Sequence, residues 1–192
     1  MLGIERPIVL GASFGGKVAM AYATRHPTHP AKLILISTEA AGGTHKERRV
    51  ALFEELGGPE VGAMARRRMF EGHRDKASLD AWLRLAFPLY TRRPRRSKCG
   101  SSGCRQSRGP QWFTRPGGED HTFNPISDLA RIQCPTHVMG GEEDPMTPIE
   151  CQADIAAALL PHLVRLERFA ACGHTVVPGC TGASFGNDPA NS

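Results

Sequence analysis

Apolar and polar positions alternate along this chain between two periods. Pro7–Leu10 and Lys32–Ser37 are short apolar runs, partly β-branched, with the character of buried strands. Cys134–Met139 reads as a third strand. Leu163–Phe169 alternates and reads as a fourth. Between the first two, Val18, Ala21 and Tyr22 recur at helical spacing, predicting a helix over Lys17–Arg25. His26-Pro27 stops it, because the residue before proline avoids the helical region. Strand, helix, strand in this pattern implies a right-handed parallel crossover, and so a parallel sheet covered by helices.

After Glu39 the pattern changes. His45–Leu56, Pro59–Glu71 and Ser78–Leu89 read as three helices with no strand between them, a helical excursion from the sheet. Met69, Phe70 and Trp82 are packing residues or pocket lining. Asn124–Arg131 is a short helix-like link. Ile149–Leu160 carries Ile155, Ala158 and Leu159 on one face and stops at Pro161. Two stretches fit neither period. Residues 92–110 are rich in arginine, glycine, serine and cysteine, and residues 178–192 lack a helical repeat. Each reads either as low-complexity loop or as the product of a shifted reading frame.

The chain has 192 residues, enough for one domain with a real core. Its net charge of +5 is concentrated at Arg66–Arg68 and Arg92–Arg108, without aromatic interleaving. No nucleic-acid partner is expected from that. No apolar run reaches about 18 residues and the N-terminus lacks the order of a signal peptide, so no membrane segment is expected and the cytoplasm is the simplest location. The six cysteines include no Cys-x-x-Cys pair. Free, mostly buried thiols are expected, with no metal and no cofactor. His26 and His29 read as surface loop residues.

The candidate chemistry begins at Gly11-Ala-Ser-Phe-Gly15, between the first strand and its helix. Gly-x-Ser-x-Gly there is the arrangement of a nucleophile elbow. Gly11 and Gly15 are expected where strand and helix backbones pack too closely for a Cβ, with Ser13 held in strained geometry. A phosphate-binding turn is disfavoured, because Lys17 is followed by Val18 rather than serine or threonine. Downstream, the third strand runs into Gly140-Gly-Glu-Glu-Asp-Pro-Met-Thr-Pro148, and Gly173-His174 follows the fourth. A serine hydroxyl needs a base to take its proton, and that base needs an acid to orient it. Ser13, Asp144 and His174 occur in that order, each after a strand. Glu142 and Glu143 compete with Asp144 for the acid role. Asp144 is preferred because Pro145 and Met-Thr-Pro follow it.

These stretches, Leu2–Gly16, Gly141–Pro148 and Gly173-His174, resemble the α/β-hydrolase superfamily, and within it most closely the proline iminopeptidase-type serine hydrolases. The resemblance implies a partial α/β-hydrolase fold. A parallel sheet would run from the elbow strand onward with a helical cap insertion. The core would comprise residues 1–38 and 126–177, the cap 39–125, and an irregular tail 178–192. It also implies a catalytic triad of Ser13, Asp144 and His174, with the backbone N–H of Phe14 as an oxyanion donor. The substrate would be a small molecule or short peptide, cleaved at an amide or ester bond. Members of the family carry further strands before the elbow and a second oxyanion donor in a His-Gly loop, which these residues lack. Losing one such donor typically lowers the rate about 100- to 1,000-fold. The competing expectation is therefore a truncated, catalytically impaired hydrolase-like chain.

Overall fold

The computed structural model describes residues 3–72, 75–91, 118 and 122–176. The two aperiodic stretches, 92–110 and 178–192, lie outside the described residues. Four strands form one parallel sheet: β1 (Ile8–Ala12), β2 (Lys32–Ile36), β3 (Thr136–Gly141) and β4 (Val164–Phe169), lying side by side in chain order. Helix α1 (Phe14–Arg25) connects β1 to β2. Helices α2 (Lys46–Gly57), α3 (Pro59–Phe70) and α4 (Lys76–Leu85) follow β2, and α5 (Ile149–Ala158) connects β3 to β4. Short 3₁₀ turns occupy Phe87–Tyr90 and Ile126–Arg131.

The sheet buries its two faces unequally. Leu33, Leu35 and Val138 point to the face covered by Met20 and Ala23 of α1 and Ile155 of α5, with Leu129 and Ile132 beside them. Ile36, Met139 and Phe169 form a smaller cluster with Cys172 and Val176. On β1, at the edge of the sheet, Ile8 and Leu10 are 63% and 60% exposed. An exposed apolar edge of this kind is open to pairing with another chain. The helical excursion has its own core of Val50, Phe53, Val61, Met64, Ala65, Trp82 and Ala86. Trp82 meets Phe53 edge-on at 4.9 Å between ring centroids, so it packs as a core residue, whereas Phe70 is exposed.

Local chemistry explains where the elements differ from the expected bounds. Helix α1 begins at Phe14, not Lys17, because the chain turns from strand to helix at Ser13 alone. Helix α4 starts at Lys76 because the Asp75 carboxylate caps it, accepting from the Ser78 backbone N–H at 2.9 Å and from the Ser78 hydroxyl at 2.7 Å. Those two bonds hold the Asp75 carboxyl below its ordinary pKa. The helix ends at Leu85, ahead of a turn that contains Pro88, which has no N–H to continue the ladder. Strand β3 extends through Gly140 and Gly141, which are strand residues rather than a turn. Cys134 and Cys151 are free and buried as expected. Cys172 departs from that expectation: it is disulfide-bonded.

Among the described residues no helix is long and apolar enough to cross a membrane.

Candidate active site

Parallel strands bring their C-terminal ends to one edge of the sheet. The register pairs Ala12 with Ile36, Ile36 with Met139, and Gly141 with Phe169. The segments that follow the strands therefore converge there, and each contributes to one cleft.

Ser13 occupies the turn after β1 with φ 51° and ψ −124°. Residues with a Cβ avoid that region, and holding one there costs about 1–3 kcal/mol. Three hydrogen bonds keep it in place. Its N–H donates to the Ile36 carbonyl at 2.9 Å, and its own carbonyl accepts from Gly16 N–H at 2.9 Å and from Thr38 Oγ1 at 2.7 Å. Close packing at Gly11 is as expected: a Cβ there would lie 2.7 Å from the Gly16 Cα. Gly15 departs from expectation, because a Cβ there would meet nothing within 4 Å. The tight position is Gly16, where a Cβ would run into the Thr38 side chain. Phe14 opens α1, so its N–H belongs to the first turn, which has no acceptor within the helix.

Asp144 lies three residues beyond β3 and is fully buried. Its Oδ1 accepts the N–H groups of Met146 and Thr147 at 2.8 and 2.9 Å, and its Oδ2 accepts the Thr147 hydroxyl at 2.6 Å. The remaining direction of Oδ2 faces His174 Nδ1 at 2.8 Å. His174 Nε2 is in turn 2.9 Å from Ser13 Oγ. Glu142 turns away to Arg168, 3.2 Å distant, while Asp144 meets the histidine. The structure thus brings together the three side chains singled out in the sequence. A buried carboxylate, an imidazole and a hydroxyl in continuous contact can move a proton off the hydroxyl and stabilise the imidazolium that results.

Gly141, singled out in the sequence only as part of the glycine pair before the acidic cluster, is essential to this geometry, since a Cβ there would collide with the Cys172 carbonyl; its absence lets the acid loop and the histidine loop touch. Tyr90 had no mark in the sequence. Its carbonyl accepts the His174 N–H at 2.8 Å, and its ring stands edge-on to the imidazole at 5.7 Å. The Trp82 indole donates to the Tyr90 hydroxyl at 3.1 Å. Burial pushes the Tyr90 phenol up to about 12. Part of the acid loop was legible in principle: an aspartate side chain in a turn commonly accepts the backbone N–H two residues on, as Asp144 does from Met146.

A third group lines the same cleft. The cleft has a volume of about 170 Å³, and Lys17, Glu39 and Arg49 line it together with Ser13, Phe14, Met146, Thr147 and His174. Lys17 Nζ is 3.0 Å from Glu39 Oε1, and Arg49 Nη2 donates to Glu39 Oε2. Burial works against the Arg49 charge, but Glu39 and Cys151 outweigh it and hold its pKa above the ordinary value. The Cys151 thiol, 3.7 Å from Arg49 Nη2, is pushed up to about 11 by burial.

The fold agrees with the comparisons with known proteins. The family model for the alpha/beta hydrolase fold matches residues 1–178, and the chain belongs to that family. It is similar to a proline iminopeptidase of Lactobacillus crispatus, 27% identical over 184 residues, which span 90% of this chain and 61% of the relative. Among solved structures, VinJ superposes with a TM-score of 0.68 at 20% identity, covering 90% of this chain and 61% of VinJ. A proline iminopeptidase of Mycobacterium smegmatis superposes with a TM-score of 0.62 at 22% identity, covering 90% and 60%. These likenesses bear on the fold. The chain spans about 60% of the length of the relatives it matches.

Proposed function

We propose that this chain is a serine hydrolase acting on a small amide or ester, with Ser13 as nucleophile, His174 as base and Asp144 as the orienting acid. The observation that carries the reading is the unbroken contact from Ser13 Oγ to His174 and on to Asp144, at 2.9 and 2.8 Å. In the reaction, Ser13 Oγ attacks the carbonyl carbon while His174 Nε2 takes its proton. The carbonyl oxygen becomes an oxyanion, received by the Phe14 N–H at the start of α1, where the helix dipole favours negative charge. The C–N or C–O bond then breaks, and His174 returns the proton to the leaving group. Water repeats the sequence on the acyl-serine and frees the enzyme. Asp144, held by three donors besides His174, keeps the imidazole in the required tautomer. Helices α2–α4 serve as the cap over the cleft.

Within this class, an aminopeptidase of the proline iminopeptidase type is the best-supported activity, because the Lactobacillus crispatus relative bears that name. The alternative reading is an α/β-hydrolase-like chain that is catalytically impaired. The test is labelling with a fluorophosphonate probe, followed by turnover of p-nitrophenyl esters and proline naphthylamide. Labelling that disappears in Ser13→Ala supports the nucleophile, and labelling unchanged in that variant rules it out. Labelling without turnover selects the impaired reading.

A further inference from the structure

Arg49 is placed unusually for a residue with only a structural role. It comes from α2, outside the sheet, yet lines the same cleft as Ser13 and His174. Its side chain is 9% exposed. A guanidinium has five N–H donors and stays charged at all ordinary pH values. The contacts of Arg49 to Glu39 and Cys151 both run through Nη2, and its buried Nε has no hydrogen-bond partner. A buried donor on a charged group left without an acceptor is unfavourable by more than a neutral one would be. Glu39 has both oxygens engaged, one with Lys17 and one with Arg49. Among the described residues that line the cleft, Lys17 and Arg49 carry two positive charges against the single carboxylate of Glu39, so the lining favours an anion over a cation. The partly buried setting strengthens that attraction relative to water. At about 170 Å³ the cleft is smaller than the roughly 300 Å³ at which drug-sized pockets begin, so the ligand is small.

We propose that Arg49 is the centre of a carboxylate-binding subsite beside Ser13, so that the substrate is a small amide or ester that itself carries a carboxylate. In a peptide this group is the free C-terminus of a very short chain. The proposal rests on the reading of Ser13 as nucleophile for its consequence in catalysis, but its binding step is independent of that reaction. A purely structural Arg49, pairing with Glu39 to hold α2 on the core, gives no selection between acid and amide.

The test uses the Ser13→Ala chain, which cannot form an acyl-serine at that position. Binding of N-acetylglycine and of its neutral counterpart N-acetylglycinamide is followed by ligand-observed NMR titration. The acid is expected to bind at least tenfold more tightly. Arg49→Gln added to Ser13→Ala brings the two affinities to within about twofold, and Arg49→Lys retains an intermediate preference. Equal affinities in the Ser13→Ala chain overturn the subsite, whether or not the Arg49 variants fold. An acid preference that survives Arg49→Gln also overturns it. Loss of fluorophosphonate labelling bears on the nucleophile alone, so the two failures are distinguishable.

Discussion

Replacing Thr147 by valine removes one hydroxyl and leaves the side-chain shape nearly unchanged. That hydroxyl donates to Asp144 Oδ2 at 2.6 Å and also lies 3.2 Å from His174 Nδ1. Asp144 is fully buried, so water does not replace the lost donor without a rearrangement. A hydrogen bond to a charged group contributes about 1.5–3 kcal/mol. For a chain of this size, each kcal/mol shifts the melting temperature by about 2–4 °C, so a fall of about 3–12 °C is expected. Activity falls as well, because Oδ2 is the atom that holds the His174 ring, and a methyl group now stands beside Nδ1. Differential scanning calorimetry measures the first effect, and ester turnover measures the second. Thr147→Ser keeps the hydroxyl and restores most of both. A Thr147→Val chain with unchanged melting temperature and turnover refutes the role assigned to this bond.

Two further predictions follow from contacts already described. Gly11→Ala forces a Cβ against the backbone of Gly15 and Gly16 and destabilises the chain by about 1–3 kcal/mol or more, whereas Gly15→Ala meets open space and is neutral or stabilising in a denaturant titration. Equal losses from the two substitutions contradict the packing described at the elbow. Tyr90 titrates at about 12 in the folded chain, above its ordinary value of 10.0. The folded state therefore holds this proton more tightly than the unfolded state does. Its contribution to stability is present below pH about 10 and is lost between about 10 and 12. Tyr90→Phe flattens that part of the stability curve, and a decline of the same size in the variant refutes the assignment.

Much of the fold could be read along the chain because its signals are local. Buried parallel strands need short apolar runs, and Lys32–Ile36 shows one directly. The elbow needs a glycine where strand and helix backbones cross, and Gly11 supplies it. Sequence order also carried information. In a parallel sheet every strand ends at the same edge, so Ser13, Asp144 and His174, each after a strand, had to approach one another.

What only the tertiary structure decided are contacts between segments far apart in the chain. The Gly-x-Ser-x-Gly pattern points to Gly15 as a tight position, but Thr38 packs against Gly16 instead. Tyr90 closes a helical segment with no periodic signal of its own, yet it fixes the histidine loop through a backbone carbonyl. Lys17, Glu39 and Arg49 come from α1, the loop after β2, and α2, and no spacing rule relates them. Hydrophobic periodicity records which face of an element is buried. It carries no record of which polar groups meet across that face, because a hydrogen bond depends on position to within a few tenths of an ångström. The sequence by itself therefore determined the strands, the elbow and the order of the three candidate catalytic residues. The tertiary structure decided which carboxylate met the histidine, what held each group in place, and which charges shared the cleft.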